Sequence, residues 1–144
     1  MINVASILQS KGPQFNTLEA RTQVIDALAV MKSENLDYII VTKNGKYTGI
    51  FCERDYAQKV ILMGRASRST EIGDIMTTSL PSVCYKDSIE ICMTLMTAYK
   101  TRFLPVFEEF EFEGVITMND LIRAEMFKKE HDRPYELVDD DKIF

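Results

Sequence analysis

Histidine, cysteine and long apolar runs are all scarce in this chain, and each scarcity closes off a class of function. His131 is the only histidine, and it stands in a charged tail. The three cysteines, Cys52, Cys84 and Cys92, are odd in number and contain no CxxC pair. A zinc site would therefore lack its usual ligands, and no disulfide framework is expected in a chain long enough to build a core without staples. Reduced thiols point to the cytoplasm. No apolar run reaches the roughly 18 residues that a membrane span needs. The opening stretch, "MINVASILQSKGPQF", has no basic region leading into an apolar segment, so no signal peptide is expected. A net charge of −5 makes the chain a poor general nucleic-acid binder, because duplex affinity rests on neutralised phosphates. What remains is ordinary globular composition: 46% hydrophobic, 27% charged, in 144 residues. That length suits one domain, or two small halves.

What the chain does have is an internal repeat. "VIDALAVM" from Val24 is echoed by "IEICMTLM" from Ile89, and "GIFCERD" from Gly49 by "GVITMND" from Gly114. Both pairs share an offset of 65 residues, with no gap between them. A weaker echo precedes each copy, "VASIL" at 4–8 and "IGDIM" at 72–76, at an offset of 68. Two copies of one unit, each unable to bury its apolar face alone, predict a pseudo-symmetric pair with a joint core.

Each copy reads alike. Val24, Ala27, Leu28 and Met31 fall at helical spacing, as do Ile89, Cys92, Met93 and Met96. A strand-like run follows, "YIIVT" at 38–42 or "FLPVF" at 103–107. Asn44-Gly45 supplies a hairpin turn in the first copy, whereas "EEFEFE" at 108–113 offers no glycine in the second. A second strand and a helix close each copy, the first helix ending on Gly64 and the second in Lys128-Lys129. Short strands around Thr17-Leu18 and Ser82-Val83 are expected to open them. The predicted class is α+β, with β-α-β-β-α twice and small sheets with helices at the shared interface. Repeat 1 is placed at 1–66, repeat 2 at 67–129, and an acidic tail at 130–144. The methionines sit at core spacing and read as an adaptable core.

The pieces "GIFCERDYAQKVI", "TRFLPVF", "GVITMNDLI" and "IGDIMT" resemble a tandem CBS-domain pair, the Bateman module, over roughly residues 4–128. The chain is similar in particular to small standalone CBS-pair proteins. The resemblance implies a regulatory, non-catalytic module. Such pairs bind adenosyl ligands (AMP, ADP, ATP, S-adenosylmethionine or NAD) in clefts between the repeats and commonly form homodimers. It requires no other cofactor and implies neither a nucleic acid nor a membrane as partner; the residues name no regulated protein.

On that resemblance, Asp120 and Asp55 would accept hydrogen bonds from ribose hydroxyls at a helix amino end. Thr117 and Asn119 lie in the same motif, and Cys52 stands where the family places a hydroxyl. Thr117 with Asp120 also fits a helix capping box, and the two roles are compatible. A thiol is a weak donor and acceptor, so the first site should differ in affinity or preference. Arg54 and Arg102 are open to phosphate contact or to plain surface exposure, with Lys100 a weaker candidate. Tyr38 could stack on a base, though packing is the better reading. Backbone near Ile40, Leu104 and Pro105, with Leu18 and Val83 opposite, would wall an adenine ring. Pro105 lacks an N–H and should lie at an edge or cleft. Two other classes stay in view: an interaction scaffold with vestigial clefts, and an enzyme using Cys52, which lacks a histidine partner.

Overall fold

The computed structural model describes residues 2–14 and 16–131. The tail from residue 132 onward, and with it most of the expected acidic segment, lies outside the described residues. In order, the elements are α1 (Val4–Lys11), β1 (Thr17–Glu19), α2 (Val24–Ser33), β2 (Tyr38–Lys43), β3 (Lys46–Cys52) and α3 (Glu53–Asp55). α3 runs on as a π-helical segment, Tyr56–Ile61. Then come α4 (Ile72–Ile75), α5 (Ile89–Tyr99), β4 (Phe103–Glu108), β5 (Glu111–Thr117) and α6 (Met118–His131). The class is mixed α+β, built on two small sheets.

Packing divides the chain differently from the repeat. Residues Pro13–Leu80 form one compact unit, and the described residues of Met1–Gly12 and Pro81–Phe144 form the other. The boundary drawn at 66/67 therefore does not coincide with the packing units. The reason lies in the lead-in helices. α1 opens repeat 1, yet Val4 and Ile7 are buried with the repeat-2 residues Ile89, Cys92, Met96, Leu104 and Ile116. α4 opens repeat 2, yet Ile72 and Ile75 are buried with Val24, Ala27, Met31, Ile39 and Phe51. Each repeat is completed by the other's lead-in. Each unit has its own cluster of buried residues.

The sheets follow the repeat with one difference. β1 pairs with β2 in parallel, and β2 with β3 antiparallel. β4 and β5 pair at the matching register, Val106 opposite Gly114 as Val41 is opposite Gly49. The second opening strand is reduced to one parallel bridge, Val83 to Val106. Pro105 explains one side of this. In the first unit Ile40 donates its N–H to Asn16 O at 2.7 Å. Pro105, the residue equivalent to Ile40, has no N–H to give, so the ladder does not extend back from Val83. Its carbonyl still accepts from Val83 N at 3.0 Å. On the other side Ala20 N bonds Thr42 O at 2.8 Å in the first unit, whereas its equivalent, Tyr85 N, turns to Glu108 Oε1 at 3.4 Å.

The turn without glycine adopts the same geometry as the one with it. Asn44 and Gly45 have φ of 54° and 76°, and Glu109 and Phe110 have 50° and 71°. Two left-handed residues match the twist of a two-residue hairpin, and Asn-Gly is the favoured pair there. Glu109 and Phe110 hold the same shape at a steric penalty. The segment closing repeat 1 is wider than the expected α-helix, with Leu62 N donating to Ala57 O at 3.1 Å. It ends on Gly64, as the sequence suggests. Gly64 has φ 70°, while Arg65 N bonds Val60 O at 2.9 Å and Gly64 N bonds Ile61 O at 3.2 Å. That is a Schellman cap, for which glycine is suited.

Candidate functional site

In each repeat a strand runs directly into a helix through an aspartate. In the repeat-2 unit, Thr117 ends β5 and Asp120 lies in the first turn of α6. Thr117 N donates to Asp120 Oδ2 at 2.8 Å, and Asp120 N donates to Thr117 Oγ1 at 3.1 Å. This is a reciprocal capping box, satisfying two amides that the helix leaves open. In the repeat-1 unit, Cys52 N donates to Asp55 Oδ2 at 3.0 Å, and the box is kept with sulfur in the hydroxyl's place.

Both carboxylates are buried, Asp55 with 2% and Asp120 with 4% of its surface exposed. A buried charge is tolerable only when paired and hydrogen-bonded, and each repeat solves this with different residues. Asp120 Oδ2 receives Lys11 Nζ at 2.9 Å, and Oδ1 receives the Arg123 guanidinium at 2.9 Å. Lys11 also donates to Val115 O at 2.8 Å, which ties α1 to β5. Asp55 Oδ1 receives Lys59 Nζ at 2.9 Å and Thr77 Oγ1 at 2.7 Å. Lys59 further donates to Ile75 O at 3.1 Å. The residues at the repeat-equivalent positions differ: Ala124 matches Lys59, and Gln58 matches Arg123. In both units, however, a residue of the exchanged lead-in segment reaches the aspartate, Lys11 at the end of α1 in one and Thr77 just after α4 in the other.

Thr77 is placed by a close backbone approach. Ile50 N bonds Thr77 O at 3.0 Å, and Thr77 N bonds Ile50 O at 2.9 Å. Neighbouring Gly49 makes room, since a Cβ there would lie 2.8 Å from both Thr77 O and Met76 Sδ.

The remaining expected residues are placed as follows. Ile40 is buried and opposes Ile50, and Tyr38 opposes Cys52, so these share a sheet face. Tyr38 is packed, its hydroxyl accepting from Gln14 Nε2 at 3.1 Å. Pro105 opposes Val115, and Phe103 opposes Thr117, which is the equivalent face of the second sheet. Leu104 and Val83 instead send their side chains into the core of the repeat-2 unit, leaving only backbone for a ligand. Leu18 packs, half-buried, on the core of the repeat-1 unit. Arg54, Arg102 and Asn119 are exposed. Lys11, Lys59, Thr77 and Arg123 were not singled out by the sequence reading. Lys59 and Arg123 follow their aspartates by four and three residues, a helical spacing that does signal pairing. Lys11 and Thr77 carry no such signal.

Cys52 is half-buried, and its thiol pKa is pushed up, first by burial and then by the Asp55 charge. Both effects hold it protonated at neutral pH, the reverse of what a nucleophile needs. All three cysteines are free thiols, and burial raises Cys92 to about 11. We expect iodoacetamide to alkylate Cys52 more slowly than free cysteine at pH 7.5, read by mass spectrometry. A faster rate would revive a thiol chemistry. Among the described residues no cluster of three or more metal-ligating side chains occurs, and no helix is long and apolar enough to cross a membrane.

Two stretches, residues 10–61 and 72–126, match the CBS domain family. The chain belongs to that family. The CBS domain-containing protein CBSX3, mitochondrial, of Arabidopsis thaliana is 37% identical over 106 residues, which is 70% of this chain. The match covers 52% of that relative, so the chain spans about half its length. The putative signal-transduction protein with CBS domains from Burkholderia ambifaria MC40-6 superposes with a TM-score of 0.81 at 33% identity, over 87% of this chain and 94% of that one. The CBS domain pair of protein MJ0100, solved with 5′-methylthioadenosine and S-adenosyl-L-methionine, superposes with a TM-score of 0.74 at 20% identity, over 89% and 98% of the two chains. That last likeness is one of fold.

Proposed function

We propose that this CBS pair is a non-catalytic sensor of adenosyl ligands, taken from AMP, ADP, ATP, S-adenosylmethionine and NAD, with Asp120 and Asp55 as ribose partners. The observation that carries the reading is the duplicated strand-to-helix junction, with an aspartate at one repeat offset in each copy. The adenosyl ligands held by the MJ0100 pair support the ligand class. Thr117, Asn119 and Arg102 would complete the repeat-2 site, and Cys52 and Arg54 the repeat-1 site. Walls would come from Ile40, Tyr38, Pro105 and the backbone at Leu104, Leu18 and Val83. Because Lys11 and Arg123 already occupy Asp120, ligand entry must exchange at least one of these contacts. A released Lys11 amine would then be free to meet a phosphate. We further assign the module to the cytoplasm, on the strength of its three free thiols, and to a homodimer.

One observation favours the scaffold reading instead: both aspartates are saturated and almost wholly buried. Calorimetry on nucleotide-stripped protein separates the two. The sensor reading expects saturable heat with at least one member of the panel, weakened about tenfold or more by Arg102→Ala through the loss of a phosphate contact if that member carries phosphate. No heat across the panel sinks it and leaves the scaffold.

A further inference from the structure

The Asp120 carboxylate has little room for a new partner. Oδ2 accepts from Thr117 N at 2.8 Å and from Lys11 Nζ at 2.9 Å. Among the described residues, Oδ1 accepts from the Arg123 guanidinium alone, at 2.9 Å. Each carboxylate oxygen offers two lone pairs, so Oδ2 is full and Oδ1 is half full. A vicinal diol that bridges both oxygens can enter at Oδ1 beside Arg123. At Oδ2 it must replace either the cap or the lysine. The cap is a backbone amide fixed between strand and helix. The ammonium rides on a flexible four-carbon stem and keeps a second acceptor, Val115 O at 2.8 Å.

The equivalent aspartate is held another way. Asp55 Oδ2 accepts from Cys52 N, and Oδ1 takes both Lys59 and Thr77. The cation there follows its aspartate by four residues, and its side chain is 41% exposed. It can swing into water while Thr77 stays on the carboxylate. Lys11 is instead the last residue of α1, with its side chain only 20% exposed. The amino half of α1 is secured without it: Val4 and Ile7 are buried, and Val4 N bonds Asp87 O at 2.9 Å. The carboxy end of α1 is tied to β5 and α6 through the lysine.

We infer that Lys11 is a latch on the repeat-2 site: an incoming ribose diol takes its place on Oδ2 and frees the carboxy end of α1. The latch rests on the reading of Asp120 as a ribose partner and specifies how that site is controlled. It lowers affinity, because the ligand must break a charge-assisted bond before making its own. It also gives the bound ligand an effect beyond the site, through α1.

Calorimetry with adenosine tests the latch, since adenosine has the diol but no phosphate for a released lysine to meet. K11M should bind adenosine about tenfold more tightly than the parent. K11R keeps a cationic donor and should stay near the parent. A lysine that only holds the fold would leave affinity unchanged, or lower it, on removal. In an Asp120→Asn background the gain from K11M should vanish, because the charge that holds the lysine is gone. Hydrogen exchange on the parent gives a readout that needs no variant, and decides alone should K11M fail to fold. Saturating adenosine should speed exchange several-fold at Gly12 N–H, which bonds Leu8 O at 3.1 Å, and leave Ile7 N–H unmoved. If adenosine gives heat, K11M binds no more tightly and exchange at Gly12 is unchanged, the latch is wrong while the sensor stands. No heat from parent or K11M, with adenosine or any ligand of the panel above, overturns both.

Discussion

Replacing Asp120 by alanine is expected to lower the stability of the repeat-2 unit by about 3 kcal/mol, measured as a drop in urea midpoint by circular dichroism. The size follows from what the carboxylate holds. Removing it abolishes the cap on Thr117 N, which alone is worth about 1 kcal/mol. It also strands the Lys11 amine, whose side chain is only 20% exposed and remains tied to Val115 O. Arg123 is 70% exposed and loses little, since water takes over its contact. Asp120→Asn keeps an acceptor for the cap but removes the charge, so it should fall between parent and alanine. Asp55→Ala should be milder than Asp120→Ala, because Lys59 is 41% exposed and resolvates more easily. Equal losses at the two sites, or none, would show that the internal ion pairs contribute nothing net. The same variants serve as binding tests only under conditions in which they remain folded.

Gly49→Ala should be about as damaging, by about 3 kcal/mol, although it adds one methyl group. The new carbon would meet Met76 Sδ and Thr77 O, each at 2.8 Å. The thioether can swing aside. The carbonyl cannot, because it accepts from Ile50 N at 3.0 Å in the bridge that fixes this backbone. Thr77 must therefore shift, and its hydroxyl leaves Asp55 Oδ1. The substitution acts through packing yet reads out at the aspartate. Gly64→Ala is the control: its left-handed φ of 70° brings a backbone penalty of about 1 kcal/mol, but a Cβ there meets nothing within 4 Å. If Gly49→Ala is no worse than Gly64→Ala, the close approach is not a constraint.

Much of this was legible in the sequence, for reasons that can be named. The repeat offset located both aspartates, because capping and strand-to-helix geometry depend on local spacing that the sequence carries directly. Helical periodicity located α2 and α5, and Asn44-Gly45 located the first turn. What was not legible depends on chain segments far apart. Nothing local says that "VASIL" packs under repeat 2, since its apolar face would suit either core. The partners of the aspartates were hidden for the same reason: Lys11 lies 109 residues from Asp120. The second turn was misleading because Glu109 and Phe110 are poor residues for a conformation they adopt nonetheless. Pro105 had a clear local meaning, but its effect, the shortened ladder at Val83, required the first copy as a standard.

The exchanged lead-in helices have a consequence for how the protein emerges from the ribosome. The residues of Pro13–Leu80 are complete early in synthesis and can collapse as a unit while the rest is still being made. α1 is made before them, yet its apolar partners Ile89, Leu104, Ile116 and Leu121 are made after them. While the intervening unit is being synthesised, α1 therefore travels with Val4 and Ile7 uncovered. Its docking is a long-range closure that waits on sequence made later. The order of birth and the order of assembly run opposite at this helix.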